Sequence, residues 1–216
     1  YVLNLVTKRY DKIYMKKIVK FPSAKILKSE NYFKEYIKIK DYLLKQIDKK
    51  SLDRIINAIL DANRNQRNLF SCGNGGSAST AEHLSCDFSK GSSTNTNLNI
   101  KVFSLSSNNS LITAIANDIS YDDIFSYQLE RFGRAKDILL AFSVSGTSKN
   151  VIKCIKIAKK KKIKIISFTG FNGGKLKKLS NHNINIFSNN FGIVEDCHLT
   201  LVHFISQYIR NLKLNT

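Results

Sequence analysis

The chain of 216 residues is 43% hydrophobic and 24% charged, which allows one sizeable core and excludes wholesale disorder. No apolar run reaches the roughly 18 residues of a membrane span. No basic-then-apolar leader opens the chain, so a cytoplasmic protein with no membrane partner is expected. The formal net charge of +19 raises nucleic acid as a partner. The lysines are nevertheless spread along the whole chain. The one dense cluster, Lys159 to Lys164 broken only by Ile163, falls at an expected helix end, where cations suit the helix dipole. Solvated surface is the preferred reading, and no specific nucleic acid is expected, because no base-reading motif accompanies the charge.

The chain opens on Tyr1 and its only methionine is Met15, which places a translation start at Met15 or a missing piece before Tyr1. Residues 1–30 read as a basic N-terminal extension and 31–216 as a single domain. Apolar positions then recur at helical spacing over 31–49 (Tyr32, Tyr36, Ile37, Tyr42, Leu43, Ile47) and 52–65 (Leu52, Ile55, Ile56, Ile59, Leu60), with Ser51 and Asp53 as the expected cap between them. From Asn68 onward the pattern changes. Leu69–Cys72, Ile100–Leu105, Ile138–Val144, Ile163–Thr169 and Ile184–Phe187 read as buried strands. Helices are expected at 76–88, 108–117, 121–132, 148–160, 174–180 and about 193–213, with a loop at Gly91–Asn99. Such β-α-β-α alternation predicts an α/β fold, a mostly parallel sheet covered by helices on both faces. The scattered Cys72, Cys86, Cys154 and Cys197 form no CxxC pair and read as reduced, mostly buried thiols.

Two strand-to-helix turns carry the chemistry. The first is Ser71-Cys72-Gly73-Asn74-Gly75-Gly76-Ser77-Ala78-Ser79, whose glycines let backbone approach a ligand at a helix N-terminus. The second is Ser143-Val144-Ser145-Gly146-Thr147-Ser148, with hydroxyls free to donate to phosphate oxygens. One such turn is also an ordinary cap; two of them beyond parallel strands point to a ligand at the carboxyl edge of the sheet. Neither matches GxGxxG or GxxxxGK[ST], so a monophosphate suits them better than a dinucleotide or nucleoside triphosphate. Four histidines exist in the chain and three fall in two later segments. His83 and Asp87 are four apart on one helix face, while Glu195, Asp196, His198 and His203 cluster on the last helix.

The blocks "CGNGGSASTAEHLSCDF", "ITAIANDISYDDIFSYQL", "DILLAFSVSGTSKNVIKCIKIAK" and "IISFTGFNGGKL" follow one another as in the phosphoheptose isomerases, and the chain resembles that SIS-domain family from about residue 31 to 213. The resemblance implies a three-layer SIS-type sandwich with N-terminal helices for oligomerisation, and an aldose–ketose isomerase. Its substrate would be sedoheptulose 7-phosphate, converted to an aldoheptose 7-phosphate for heptose or surface-polysaccharide synthesis. It implies that Ser143, Ser145 and Ser148 hold the phosphate and that Asn74, Gly75, Gly76 and Ser77 border the sugar. It also sets Asp118, in the Asn117-Asp118 turn, near that sugar. Matched motif to motif, His83, Asp87, Glu195 and His203 take the places of the family's zinc ligands, with Asp87 and His203 sharing the acid and base roles and Glu195 also touching substrate.

Two of these positions depart from the family: Asp87 stands where it usually has Glu, and Glu195 where it has Gln. All four remain capable ligands of a divalent metal such as zinc. Helix geometry puts Glu195 about 80° around from His203, whereas Asp196, seven residues away, nearly eclipses it. Glu195 is kept and Asp196 stands in reserve; His198 is either a partner behind the metal or structural. The resemblance also implies a homotetramer with sites shared between subunits. The alternative is a non-catalytic SIS protein that binds a phosphosugar or a protein partner.

Overall fold

The computed structural model describes residues 18–214; the Met15 start and the first 17 residues of the expected extension lie outside them. Two helices come first, α1 (Ser29–Lys45) and α2 (Lys49–Arg64). The cap between them is Asp48, not Ser51 or Asp53. Its carboxylate accepts from the Lys50 and Ser51 amides at 3.2 and 3.0 Å, a geometry open to a carboxylate placed just before the first turn.

There follow β1 (Asn68–Cys72), α3 (Gly76–Cys86), β2 (Lys101–Ser104), α4 (Asn109–Asp118), a single 3₁₀ turn at Tyr121–Asp123 and α5 (Ser126–Phe132). Then come β3 (Ile138–Ser143), α6 (Lys149–Lys160), β4 (Lys164–Thr169), α7 (Gly174–Leu179), β5 (His182–Asn185) and α8 (Phe191–Asn211). The five strands run parallel in the order β2-β1-β3-β4-β5, so the chain crosses over between its first two strands and β3. Registers such as Leu69↔Ile138 and Leu140↔Ile166 put residues of one face side by side.

Alternation along each strand then builds two cores. Leu69, Ile138, Leu140, Phe142, Ile166 and Phe168 face one layer, where they meet Ile55 and Ile59 of α2, Leu84 of α3 and Val194, Leu201 and Ile205 of α8. Phe70, Leu139, Ala141 and Ile165 face the other, against Ile115, Leu129, Val151, Ile155 and Leu176. Cys72 and Cys154 are fully buried in this second core and Cys197 in the first; only Cys86 is exposed. This is the expected three-layer arrangement.

Three boundaries differ from expectation for physical reasons. The fifth strand pairs two residues early, because Asn183 and Asn185 are satisfied inside the ladder: Asn183 donates to Ser167 Oγ and Thr169 Oγ1, each at 2.9 Å, and Thr169 donates to Asn185 at 2.8 Å. The helix expected over 121–132 breaks at its 3₁₀ turn. The helix after β1 does not stop at 88 but widens into a π-helical turn over Asp87–Gly91. Val19 and Phe21, inside the expected extension, are buried against the domain, and Val19 bridges to Ser188.

Candidate active site

At the carboxyl edge of the sheet, the turns after β1 and β3 and the start of α8 enclose a cavity of about 270 Å³. Asn74, Gly75, Gly76 and Ser77 form one wall, Ser143, Ser145 and Ser148 another, and Phe191 and Glu195 close it. Its position is where open α/β sheets bind ligands. Gly146 makes the serine turn possible. Its φ is +66°, and a Cβ there would collide with the backbone carbonyl of Gly173.

The hydroxyls in this turn are oriented by short internal bonds. Ser143 Oγ and Ser148 Oγ are 3.1 Å apart, and the Gly146 and Thr147 amides donate to Ser143 and Ser145 at 3.2 and 3.3 Å. Ser148 is the N-cap residue of α6 yet makes no side-chain cap bond to that helix, and no side chain caps α3 either. Other side chains take part of these helix starts: the Ser77 amide faces the Glu195 carboxylate, and the Val151 amide donates to Asn150 Oδ1 at 2.9 Å.

Glu195 lies over Gly76, where an added Cβ would strike its carboxylate. Burial pushes the Glu195 carboxyl up from its ordinary pKa, the neighbouring Asp196 charge adds to this, and the Ser77 amide opposes it. Asp196 itself is turned to α1, accepting from Tyr36 Oη at 3.0 Å and from Lys40 at 3.4 Å. Burial and that bond push the Tyr36 phenol up to about 12.

Further along the same pair of helices, α3 and α8, three side chains converge. His203 Nδ1 lies 2.9 Å from Asp87 Oδ2 and His83 Nε2 lies 3.3 Å from Asp87 Oδ1, with the two imidazoles packed edge to face at 4.7 Å. Their candidate ligand atoms all fall within 4.8 Å of one another, a group of two imidazoles and one carboxylate that suits a divalent ion of zinc's type. Asp87 opens the π turn, a deformation that redirects side chains from a regular helix and recurs at functional sites.

Glu195 is not part of that trio. It stands about eight residues up α8, roughly 12 Å along the axis, with the cavity. Asp118 ends α4 on the surface, accepts from Asn117 at 2.8 Å and does not line the cavity. His198 is structural: it is fully buried against the stacked rings of Phe142 and Phe168, with Nε2 3.3 Å from the Thr169 carbonyl, and burial pushes its pKa down to about 4.

A family model described as the SIS domain matches residues 31–170. The chain is also 33% identical over 178 residues to the phosphoheptose isomerase of Helicobacter pylori strain P12, covering 82% of this chain and 92% of that protein. The chain belongs to the SIS-domain phosphoheptose isomerases. The corresponding isomerase of Shewanella pealeana is 37% identical over 171 residues, covering 74% of this chain and 80% of the relative. Among solved structures, the phosphoheptose isomerase GmhA from Neisseria gonorrhoeae superposes with a TM-score of 0.77 at 28% identity, over 84% of this chain and 96% of that one.

Three residues of this isomerase that the sequence did not single out support the site from behind. Asn150, buried on α6, exchanges two 2.9 Å bonds with the amide of Asn74. Tyr121 Oη adds a third bond to Asn74 Oδ1 at 3.2 Å. Ser206 donates to Asp87 Oδ2 at 3.1 Å. No one-dimensional signal marks Tyr121 or Ser206, since each acts through an approach of distant elements. Asn150 alone carries a hint, a polar residue on the otherwise apolar face of α6.

Proposed function

We propose that this chain isomerises sedoheptulose 7-phosphate to an aldoheptose 7-phosphate, a step in heptose and surface-polysaccharide synthesis. The observation that carries this reading is the pairing of a serine-lined anion cavity with the His83–Asp87–His203 trio along one pair of helices. An extended seven-carbon chain suits that layout. Its phosphate accepts from Ser143, Ser145, Ser148 and the amides of α6, while its reacting carbons reach down α3 and α8. Asn74, Gly75, Gly76 and Ser77 border the sugar between, with Glu195 facing them. Family membership supports an aldose–ketose isomerase.

Aldose–ketose exchange moves a proton between adjacent carbons through an enediolate, so it needs a base, an acid and stabilisation of oxyanion charge. In this reading Asp87 and His203 carry the proton. Their contact at 2.9 Å lets one hold it while the other is free, and Ser206 fixes the carboxylate that both share. The donor set of His83, Asp87 and His203 fits a divalent metal, zinc by chemistry, while Glu195, standing with the cavity, is left to touch substrate and not the ion. When bound, such an ion supplies Lewis-acid stabilisation of substrate oxygens. His83 then orients Asp87 through Oδ1, the oxygen that His203 leaves free.

We further take the protein to act in the cytoplasm as a homo-oligomer, a tetramer by resemblance. Exposed Phe33 and Ile37 on α1 support association. Among the described residues, no helix is long and apolar enough to cross a membrane. The test is turnover of sedoheptulose 7-phosphate by wild type and by Asp87→Asn. The variant should unfold at the wild-type temperature, bind about as much phosphosugar, and lose turnover; full activity in Asp87→Asn overturns the assignment.

A further inference from the structure

At the end of the sheet opposite the serine turn, three connections that feed strands meet. They are 134–137 before β3, 161–163 after the end of α6 and before β4, and 180–181 after the end of α7 and before β5. Backbone bonds tie them into one unit: Lys136 N–H to the Lys162 carbonyl at 3.0 Å, Lys164 N–H to Asp137 at 2.8 Å, and Asn181 N–H to Ile165 at 2.9 Å. Between them opens a cleft of about 620 Å³, more than twice the volume of the serine-lined cavity.

Five lysines line this cleft, namely Lys136, Lys159, Lys162, Lys164 and Lys178. The one acid in its wall is Asp61, whose Oδ1 already lies 3.5 Å from Arg64 and 3.1 Å from the Asn65 amide. Among the described residues, none of the five lysines has an ion pair within 4.0 Å. Their neighbours outside the lining behave differently: Lys160 pairs with the Glu130 carboxylate at 3.5 Å, and Lys161 donates to the Glu130 carbonyl. Acidic partners are thus absent on the cleft side in particular. His182, which opens β5, feels the resulting field. Burial lowers its pKa, and the charges of Lys164 and Arg54 lower it further.

Five cations set on two helix ends, two turns and a strand start repel one another and favour any ligand that brings several negative charges at once. The lining contains no aromatic residue to stack a base and no arginine to fork a single phosphate; its lysines act as point charges. We propose that this cleft is a second anion site, for a small soluble molecule carrying two or more linked phosphates. It is distinct from the cavity at the carboxyl edge and does not depend on how that cavity is used.

Calorimetric titration of the full chain with tripolyphosphate, in about 50 mM and about 200 mM salt, tests this. Wild type and a Ser143→Ala/Ser145→Ala variant should bind it alike, with affinity falling as salt rises. Lys136→Asn/Lys162→Asn should bind at least about tenfold more weakly while keeping wild-type isomerase turnover. Asparagine is the replacement because both positions hold positive φ, 73° and 58°, which it tolerates. Lys159→Gln/Lys178→Gln, at positions of ordinary backbone, should weaken binding in the same way and serves if the first pair fails to fold. ATP binding as tightly as tripolyphosphate would identify a nucleotide's tail as a source, and much weaker ATP binding a free chain; both support the site. Unchanged affinity in the lysine variants, loss of binding in the serine variant, equal binding of orthophosphate, or tighter binding of duplex DNA per phosphate would each overturn it.

Discussion

Replacing Asn150 by alanine probes the link between fold and sugar site, because this residue is 2% exposed yet supports the loop that borders the ligand. The substitution deletes the two 2.9 Å bonds exchanged with Asn74 and the 2.9 Å bond that Oδ1 accepts from the Val151 amide. Each such bond contributes about 0.5–1.5 kcal/mol net. Half-buried Asn74 keeps Tyr121 and regains some water, so the expected loss is about 2–3 kcal/mol rather than the full sum. Urea unfolding measures it, with an unchanged m-value showing that only the native state moved. Because Asn74 is the proposed sugar contact, KM for the heptose phosphate should rise more than kcat falls. A double-mutant cycle with Asn74→Ala should return a coupling of at least about 1 kcal/mol. A stability within about 0.5 kcal/mol of wild type together with an unchanged kcat/KM would refute the reasoning.

Other perturbations give equally definite outcomes. His198 has its folded pKa lowered to about 4 against 6.5 unfolded, so the unfolded chain binds the extra proton between those values. Stability should therefore be intact above about pH 6.5 and decline as pH falls toward 4, by on the order of 3 kcal/mol for this group. His198→Leu should flatten that part of the pH–stability curve, and an unaltered slope would contradict the burial argument. Gly146→Ala combines positive φ with a backbone collision at Gly173, and thermal unfolding should show a loss of more than about 2 kcal/mol; a wild-type melting point would be inconsistent with the turn described. Ser206→Ala removes one bond to Asp87, with about 1 kcal/mol of stability lost and turnover reduced several-fold, whereas unimpaired turnover would show that Asp87 needs no such support.

Much of the architecture was legible in the chain because buried parallel strands write themselves as short apolar runs. Ile138–Ser143 is buried at every position and matches its expected run to within one residue. The fifth strand was misplaced for the opposite reason: His182, Asn183 and Asn185 look like loop residues until the neighbouring Ser167 and Thr169 satisfy their amides. Asp48 and Ser51 are equally good cap types, so residue type alone does not choose between them. In the structure Ser51 serves the same cap from inside the helix, donating from Oγ to Asp48 at 2.7 Å.

In the site, the His83 and Asp87 spacing foretold a shared face, and their meeting with His203 followed once α3 and α8 lay side by side. Spacing on one helix could not show that Asp196 would be occupied by Tyr36 and Lys40, or that Glu195 would stand with the cavity and apart from the trio. The π turn at Asp87 was equally hidden, since nothing in Asp87-Phe88-Ser89-Lys90-Gly91 distinguishes a five-residue turn from an ordinary helix end.

The central claim is that the serine cavity and the trio together perform an isomerisation. Its most direct test is NMR of sedoheptulose 7-phosphate incubated in D₂O with protein loaded with zinc, manganese or cobalt. The expected product is an aldoheptose 7-phosphate carrying deuterium from solvent at the carbon next to the carbonyl, abolished by chelation and by Asp87→Asn. Unchanged ketose with all three metals would contradict it, and would leave a phosphosugar-binding protein in place of an isomerase.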